Sequence, residues 1–275
     1  MANHDAPRDG YVHVNGLRLH YLDWGNPQAP LLLLIHGLQD CARSFDFAAP
    51  YLAKKFRVLA LDHRGHGDSQ WSRDAAYKYT DYVNEVAAFA DALGLRRFFL
   101  MGHSAGGRDA FGYAAMHPER VEGLVIIDID PDPVNPDTSR MFRRYLTEPD
   151  EWPSLAAVVE RLRSREPNAP EEVLEHHALH MTRELPGGRR QWKRDRALLY
   201  AYERLDLWGY WRSVTCPVLL LRGALSGLLT IELASKMQQE ARSCKLVELP
   251  DGRHWCYDES LDAFLAALKG FLALP

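Results

Sequence analysis

The chain of 275 residues has only four cysteines, and Cys41, Cys216, Cys244 and Cys256 are scattered without C-x-x-C or zinc-ligand spacing. That argues against a disulfide scaffold or a thiolate metal centre, and free thiols in a reducing compartment are the expectation. Long apolar runs are missing too. The longest aliphatic stretch, Leu31 to Ile35, is far too short to cross a bilayer. The opening residues, Met-Ala-Asn-His-Asp-Ala-Pro-Arg-Asp, hold no apolar leader core. Positive charge is not in excess: 33 Lys and Arg stand against 37 Asp and Glu, a net charge of −4, so there is no basic footprint for nucleic acid. Repeats and low-complexity tracts are also lacking. The absences point to a soluble, cytoplasmic protein with neither nucleic-acid nor membrane partner. Hydrophobic residues at 47% and charged residues at 25% are ordinary for a globule, and the length suits one α/β domain with an insertion.

What is present is an alternation of short apolar runs with helical periodicity. Tyr11-Val-His-Val14 and Leu17-Arg-Leu-His-Tyr-Leu22 flank Asn15-Gly16, a type I′ hairpin signal. Buried-strand runs follow at Leu31 to Ile35, Arg57 to Leu61, Arg97 to Met101 and Val121 to Ile129. A helix is expected around Ala42 to Ala53. Val83, Val86, Ala87, Ala90 and Leu93 mark another, closed by Gly94. Strands apolar on both faces, separated by helices, predict a mostly parallel sheet of eight strands covered on two sides. From 133 to 212 the alternation stops: the segment reads as helical, with no convincing strand, and gathers Trp152, Trp192, Trp208 and Trp211. It resumes with Val218 to Leu221, a helix near Thr230 to Glu240, Lys245 to Leu249, and a last helix from Leu261. The organisation is therefore an α/β core over 1–132 and 213–275 with a helical cap at 133–212.

The most informative residues are Gly102-His-Ser-Ala-Gly106, set between the strand run ending at Met101 and a helix run ending at His117-Pro118. A serine between glycines at a strand-to-helix junction is a nucleophile elbow. The turn is too sharp for large neighbours, it lifts the hydroxyl off the strand end, and the helix N-terminus faces whatever the serine attacks. Ser104 is the candidate nucleophile.

With His36-Gly37-Leu38 after the third strand, Asp62-His-Arg-Gly-His-Gly-Asp-Ser69 after the fourth and Asp251-Gly-Arg-His254-Trp255 after the eighth, the chain resembles the α/β-hydrolase superfamily over essentially its whole length. The resemblance implies that fold, with a capped serine hydrolase of carboxylesterase or lactonase type. It implies His254 as the base and the backbone amides of Leu38 and Ala105 as oxyanion donors, with His36, Gly37 and Trp255 against the substrate. It also implies an Asp after the seventh strand, yet Gly223-Ala-Leu-Ser226-Gly227 has no carboxylate there. Other members place the acid after the sixth strand, where this chain has Asp128 and Asp130; Asp128 is the assignment, with Asp130 or no carboxylate as alternatives.

The function expected is cofactor-independent hydrolysis of a small ester or lactone through an acyl-enzyme. C–C bond hydrolysis or perhydrolase chemistry on the same triad is one alternative. A ligand-binding protein with vestigial catalysis, suggested by Gly227, is another. No metal is expected: His176, His177 and His180 have i, i+4 spacing but no third ligand in sequence. The basic run Arg189 to Arg196 reads as a solvated face, and Asp62 to Ser69 as a loop tied by its own side chains. The oligomeric state stays open, a homodimer being one option.

Overall fold

The computed structural model describes residues 6–274; residues 1–5, part of the stretch read for a leader, and residue 275 lie outside the described residues. Eight strands form one sheet: β1 (Arg8–Val14), β2 (Leu17–Asp23), β3 (Leu31–Ile35), β4 (Arg57–Leu61), β5 (Phe98–His103), β6 (Val121–Ile127), β7 (Val218–Gly223) and β8 (Cys244–Leu249). Their spatial order is β1-β2-β4-β3-β5-β6-β7-β8. β2 runs antiparallel to β1 and β4, and the remaining neighbours are parallel. This is the α/β-hydrolase fold. Asn15 and Gly16 both have positive φ, 51° and 75°, as a type I′ hairpin turn requires.

The two-residue period of the strands builds two cores, one on each face of the sheet. Leu32, Leu34, Val125, Ile127, Leu219 and Leu221 enter one cluster. Leu33, Ile35, Leu124, Ile126, Val218 and Leu220 enter the other. Helices Tyr79–Ala92 and Ala105–Met116 cover the second face, and Leu261–Phe271 the first. The helix expected over 42–53 is broken into a 3-10 turn, Ala42–Phe45, and one α-turn, Ala49–Leu52. Pro50 lacks the N–H that would have continued the ladder through Asp46.

The inserted segment is not all helical. Helices Pro136–Thr147, Leu155–Arg163, Glu171–His180 and Ala197–Ala201 are accompanied by a small antiparallel sheet of Glu151–Trp152, Arg190–Trp192 and Thr182–Glu184. At its far end, Trp211 packs edge-on against Phe111 at 5.7 Å and donates to the Met237 carbonyl, so helix Trp208–Ser213 beds into the sheet's own helices. Arg190 and Arg194, expected in solvent, are buried: Arg190 donates to Thr182 and Leu179, Arg194 to Gln39 and Asp150. A buried cluster fastens the insertion to the core. His177 of helix Glu171–His180 donates to Asp258 at 2.9 Å, lies 3.8 Å from Asp40 and stacks on Trp255. Among the described residues no helix is long and apolar enough to cross a membrane.

Candidate active site

Every loop expected to carry chemistry leaves the carboxyl end of a parallel strand, on the side where an open α/β sheet has its crevice. Ser104 follows β5 with φ 53° and ψ −126°, a conformation that costs a non-glycine residue roughly 1–3 kcal/mol. Two glycines make that turn possible. A Cβ on Gly102 would stand 2.3 Å from the Gly106 carbonyl oxygen, and one on Gly106 would stand 2.3 Å from that of His36. The close approach also brings the loop after β3 against the elbow, with Gly37 directly beside the Ser104 Cβ.

Ser104 Oγ lies 2.9 Å from His254 Nε2, and His254 Nδ1 lies 2.8 Å from Asp128 Oδ2. Asp128 is fully buried and also accepts from the Gly223 amide at 3.2 Å and the Ser226 hydroxyl at 2.5 Å. Ser226 thus donates to the same carboxylate oxygen that His254 Nδ1 reaches. Asp130 is committed elsewhere. It accepts from the Asp132 amide at 2.7 Å, Asn135 at 3.2 Å and Arg204 at 2.5 Å, and anchors the start of the insertion. At Gly227 a Cβ would meet Asp137 Oδ2 at 2.0 Å, so the place where the resemblance expects an acid is already crowded by another carboxylate.

Leu38 and Ala105 flank the elbow, and among the described residues neither backbone N–H has a hydrogen-bond partner. Ala105 opens the helix, so its amide points outward with the positive end of the dipole. His36 is buried: Nδ1 donates to the Gly37 carbonyl at 2.7 Å and Nε2 accepts from the His63 amide at 3.1 Å, which sets the shape of the Gly37–Leu38 loop. Burial pushes the His36 pKa down, in keeping with that neutral tautomer. His103 points away from the serine, donates to the His254 carbonyl at 2.8 Å, and is held neutral by burial. His63 is buried between Glu85 and Asp109; the two carboxylates outweigh burial and raise its pKa to about 9.

Three adjoining cavities follow the elbow. A narrow one at Ser104 is bordered by Leu38, Tyr145, His254 and Trp255. On the side of Leu38 and Ala105 it meets a pocket of about 40 Å³ walled by His36, Tyr77, Tyr79, Tyr82 and Tyr202. On the His254 side lies a larger cavity of about 220 Å³. Trp255 is wedged between the His177 ring and the Arg165 guanidinium, which stand 4.1 and 4.2 Å from its rings. The tryptophans of the insertion do not reach these cavities; Met141, Tyr145 and Tyr202 do. Sequence periodicity could not show that, because Met141 and Tyr145 stand on helix Pro136–Thr147 and Tyr202 on the loop after helix Ala197–Ala201, brought together only by folding. The metal-like histidines acquire a third neighbour: ligand atoms of Asp46, His176 and His180 lie within 4.8 Å of one another. His176 is there bonded to the Arg43 carbonyl, and Arg43 itself pairs with Asp46.

Ser104, His254 and the buried Asp128 thus form one hydrogen-bonded chain at the strand ends, and the comparisons with known proteins give the class. The chain belongs to the α/β-hydrolase family, whose model for the alpha/beta hydrolase fold matches residues 30–261. It is 28% identical over 263 residues to a 2-(acetamidomethylene)succinate hydrolase of Mesorhizobium japonicum, covering 95% of this chain and 94% of that one. An N-formylmaleamate deformylase of Pseudomonas putida is 27% identical, with 97% of each chain covered. The solved structure of E-2-(acetamidomethylene)succinate hydrolase has a TM-score of 0.88 at 26% identity, over 97% of this chain and 99% of that one. An α/β hydrolase from Novosphingobium aromaticivorans gives 0.85 at 28%, over 96% and 98%. The protein is a hydrolase of this family.

Proposed function

We propose that the protein is a serine hydrolase that cleaves a small carboxylic ester or lactone through an acyl-enzyme on Ser104. The observation that carries the reading is the continuous relay from Ser104 Oγ to His254 to Asp128, at 2.9 and 2.8 Å. A serine hydroxyl is protonated at neutral pH and needs a base to attack. His254 Nε2 takes that proton as Oγ adds to the acyl carbon, and Asp128 holds Nδ1–H and steadies the imidazolium. The tetrahedral oxyanion falls to the amides of Leu38 and Ala105. His254 then returns its proton to the leaving oxygen; a water, deprotonated by the same nitrogen, releases the acid and restores Ser104. These steps call on no metal or cofactor. Asp128 fills the acid role that Gly227 leaves vacant, which speaks against a vestigial site. Residues 133–212 act as a cap that sets substrate range through Met141, Tyr145 and Tyr202.

A second reading, cleavage of an acyl–nitrogen bond by the same steps, is favoured by the full-length similarity to a protein named as a deformylase of an N-formyl compound. A cytoplasmic setting is part of the proposal, supported by four free thiols. Turnover of p-nitrophenyl acetate by Ser104→Ala and His254→Ala, singly and together, tests the reading. Each change should cost about 10⁴-fold or more, and the double change no more than either alone. Activity near wild type in either variant would remove that residue from the mechanism.

A further inference from the structure

The cavity beside His254 is lined by Arg140, Arg144, Arg161, Arg165 and Arg253, against only two carboxylates, Asp137 and Glu166. Such a surplus is unexpected in a chain of net charge −4. Part of it is neutralised. Arg140 pairs with Asp137 at 2.8 Å, while Arg144 and Arg161 share Glu148. Arg165 Nε stands 3.2 Å from Glu166. The rest is unspent among the described residues. Arg161 Nη1 is buried without a partner, and the Arg253 guanidinium has no ion pair. Arg165 uses Nη1 on the Tyr145 hydroxyl at 3.1 Å, leaving Nη2 without a hydrogen bond.

Arg165 is the best placed of the five. It borders both this cavity and the narrow one at Ser104, together with Tyr145 and His254. Its plane is fixed by the Trp255 ring, 4.2 Å away, so little side-chain freedom is lost when it binds. A guanidinium fork held in this way matches a planar carboxylate, and because the Arg165 side chain is itself mostly buried the pairing is stronger than in water.

We propose that this cavity is an anion subsite that takes a carboxylate of the substrate, with Arg165 as its principal ligand and Arg161 and Arg253 in support. The inference rests on the hydrolase reading for the place of the reacting carbon. The protein's preferred substrates are then short esters or amides of di-acids, or esters whose leaving group bears a carboxylate. About 220 Å³ suits a fragment of a few carbons rather than a long acyl chain.

Two matched pairs test it: mono-p-nitrophenyl succinate against p-nitrophenyl butyrate, and 3-acetoxybenzoate against phenyl acetate. Calorimetry with succinate, succinamide and inorganic phosphate on Ser104→Ala reads binding without turnover. In at least one pair kcat/KM should favour the anion by about 10-fold or more, mainly through KM, and the preference should shrink as salt rises. Arg165→Gln should abolish the preference, with Arg165→Lys recovering part of it. The exposed Arg253→Gln, whose folding is not at risk, should reduce it several-fold. Succinate should bind where succinamide does not.

Preference for the neutral ester in both pairs, or an anion preference untouched in both Arg165→Gln and Arg253→Gln, would overturn the subsite and leave the hydrolase reading standing. Tighter binding of phosphate than of succinate would overturn the carboxylate assignment. Succinate binding without turnover of any ester would sustain the subsite and count against the hydrolase reading instead.

Discussion

Replacing Asp128 by Asn keeps the shape of the side chain while removing its charge and two of its acceptor sites. In the native arrangement one carboxylate accepts three hydrogen bonds, from the Gly223 amide, the Ser226 hydroxyl and His254 Nδ1. An Asn can satisfy the Gly223 amide through its carbonyl oxygen, but its NH2 then faces Ser226 and His254. Ser226 can rotate to accept. The imidazole can accept only as the Nε2–H tautomer, which presents a proton rather than a lone pair to Ser104. Both the wrong tautomer and the unsupported imidazolium act on the same step, so kcat should fall by about 10⁴-fold, some 5.5 kcal/mol in the barrier. Stability should change far less, by about 1–3 kcal/mol for one imperfectly satisfied buried group. Initial rates on p-nitrophenyl acetate, with a thermal melt of the same samples, read both numbers. A kcat within 10-fold of wild type in a protein that melts normally would refute the relay through Asp128.

Gly227→Asp should weaken the enzyme rather than strengthen it, because a Cβ there meets Asp137 Oδ2 at 2.0 Å and adds a carboxylate to a cavity whose arginines we assign to the substrate; a rise in kcat/KM would contradict this. His177→Gln should destabilise the fold in a pH-dependent way. Between Asp258 and Asp40, and despite burial, the His177 pKa is raised to about 9, so its charge stabilises the fold fully below pH 6.5 and this is lost as pH rises through about 9. Relative to the ordinary 6.5 that amounts to about 3 kcal/mol. The gap in Tm between wild type and His177→Gln should therefore be largest near pH 6 and narrow toward pH 10, and a gap constant with pH would refute the charged state.

The elbow was legible in the sequence because sterics write it directly: Gly102 and Gly106 stand where a Cβ would strike backbone oxygen. The eight strands were legible from runs buried on both faces. Asp128 could be preferred over Asp130 but not separated from it by spacing, since what separates them is a φ of 51° at Asp128 and the capture of Asp130 by Arg204. The small sheet in the insertion left no trace, its strands being two or three residues long and too short to show an alternation. The basic run misled because Arg190 folds back onto Thr182 and Leu179 just before it, while Arg194 reaches the distant Gln39. The arginine cavity was invisible because Arg140, Arg144, Arg161 and Arg165 meet Arg253 only where the loop after the last strand returns beside the elbow.

The central claim is that Ser104 is a nucleophile activated by His254, and covalent labelling reads it most directly. The protein should be incubated with a fluorophosphonate, digested, and the modified peptide sequenced by mass spectrometry. The account predicts one adduct per chain, located on Ser104, forming orders of magnitude more slowly in His254→Ala and in Asp128→Asn. Failure of the folded wild-type protein to label, or a label on Ser226 or any other serine, would contradict it.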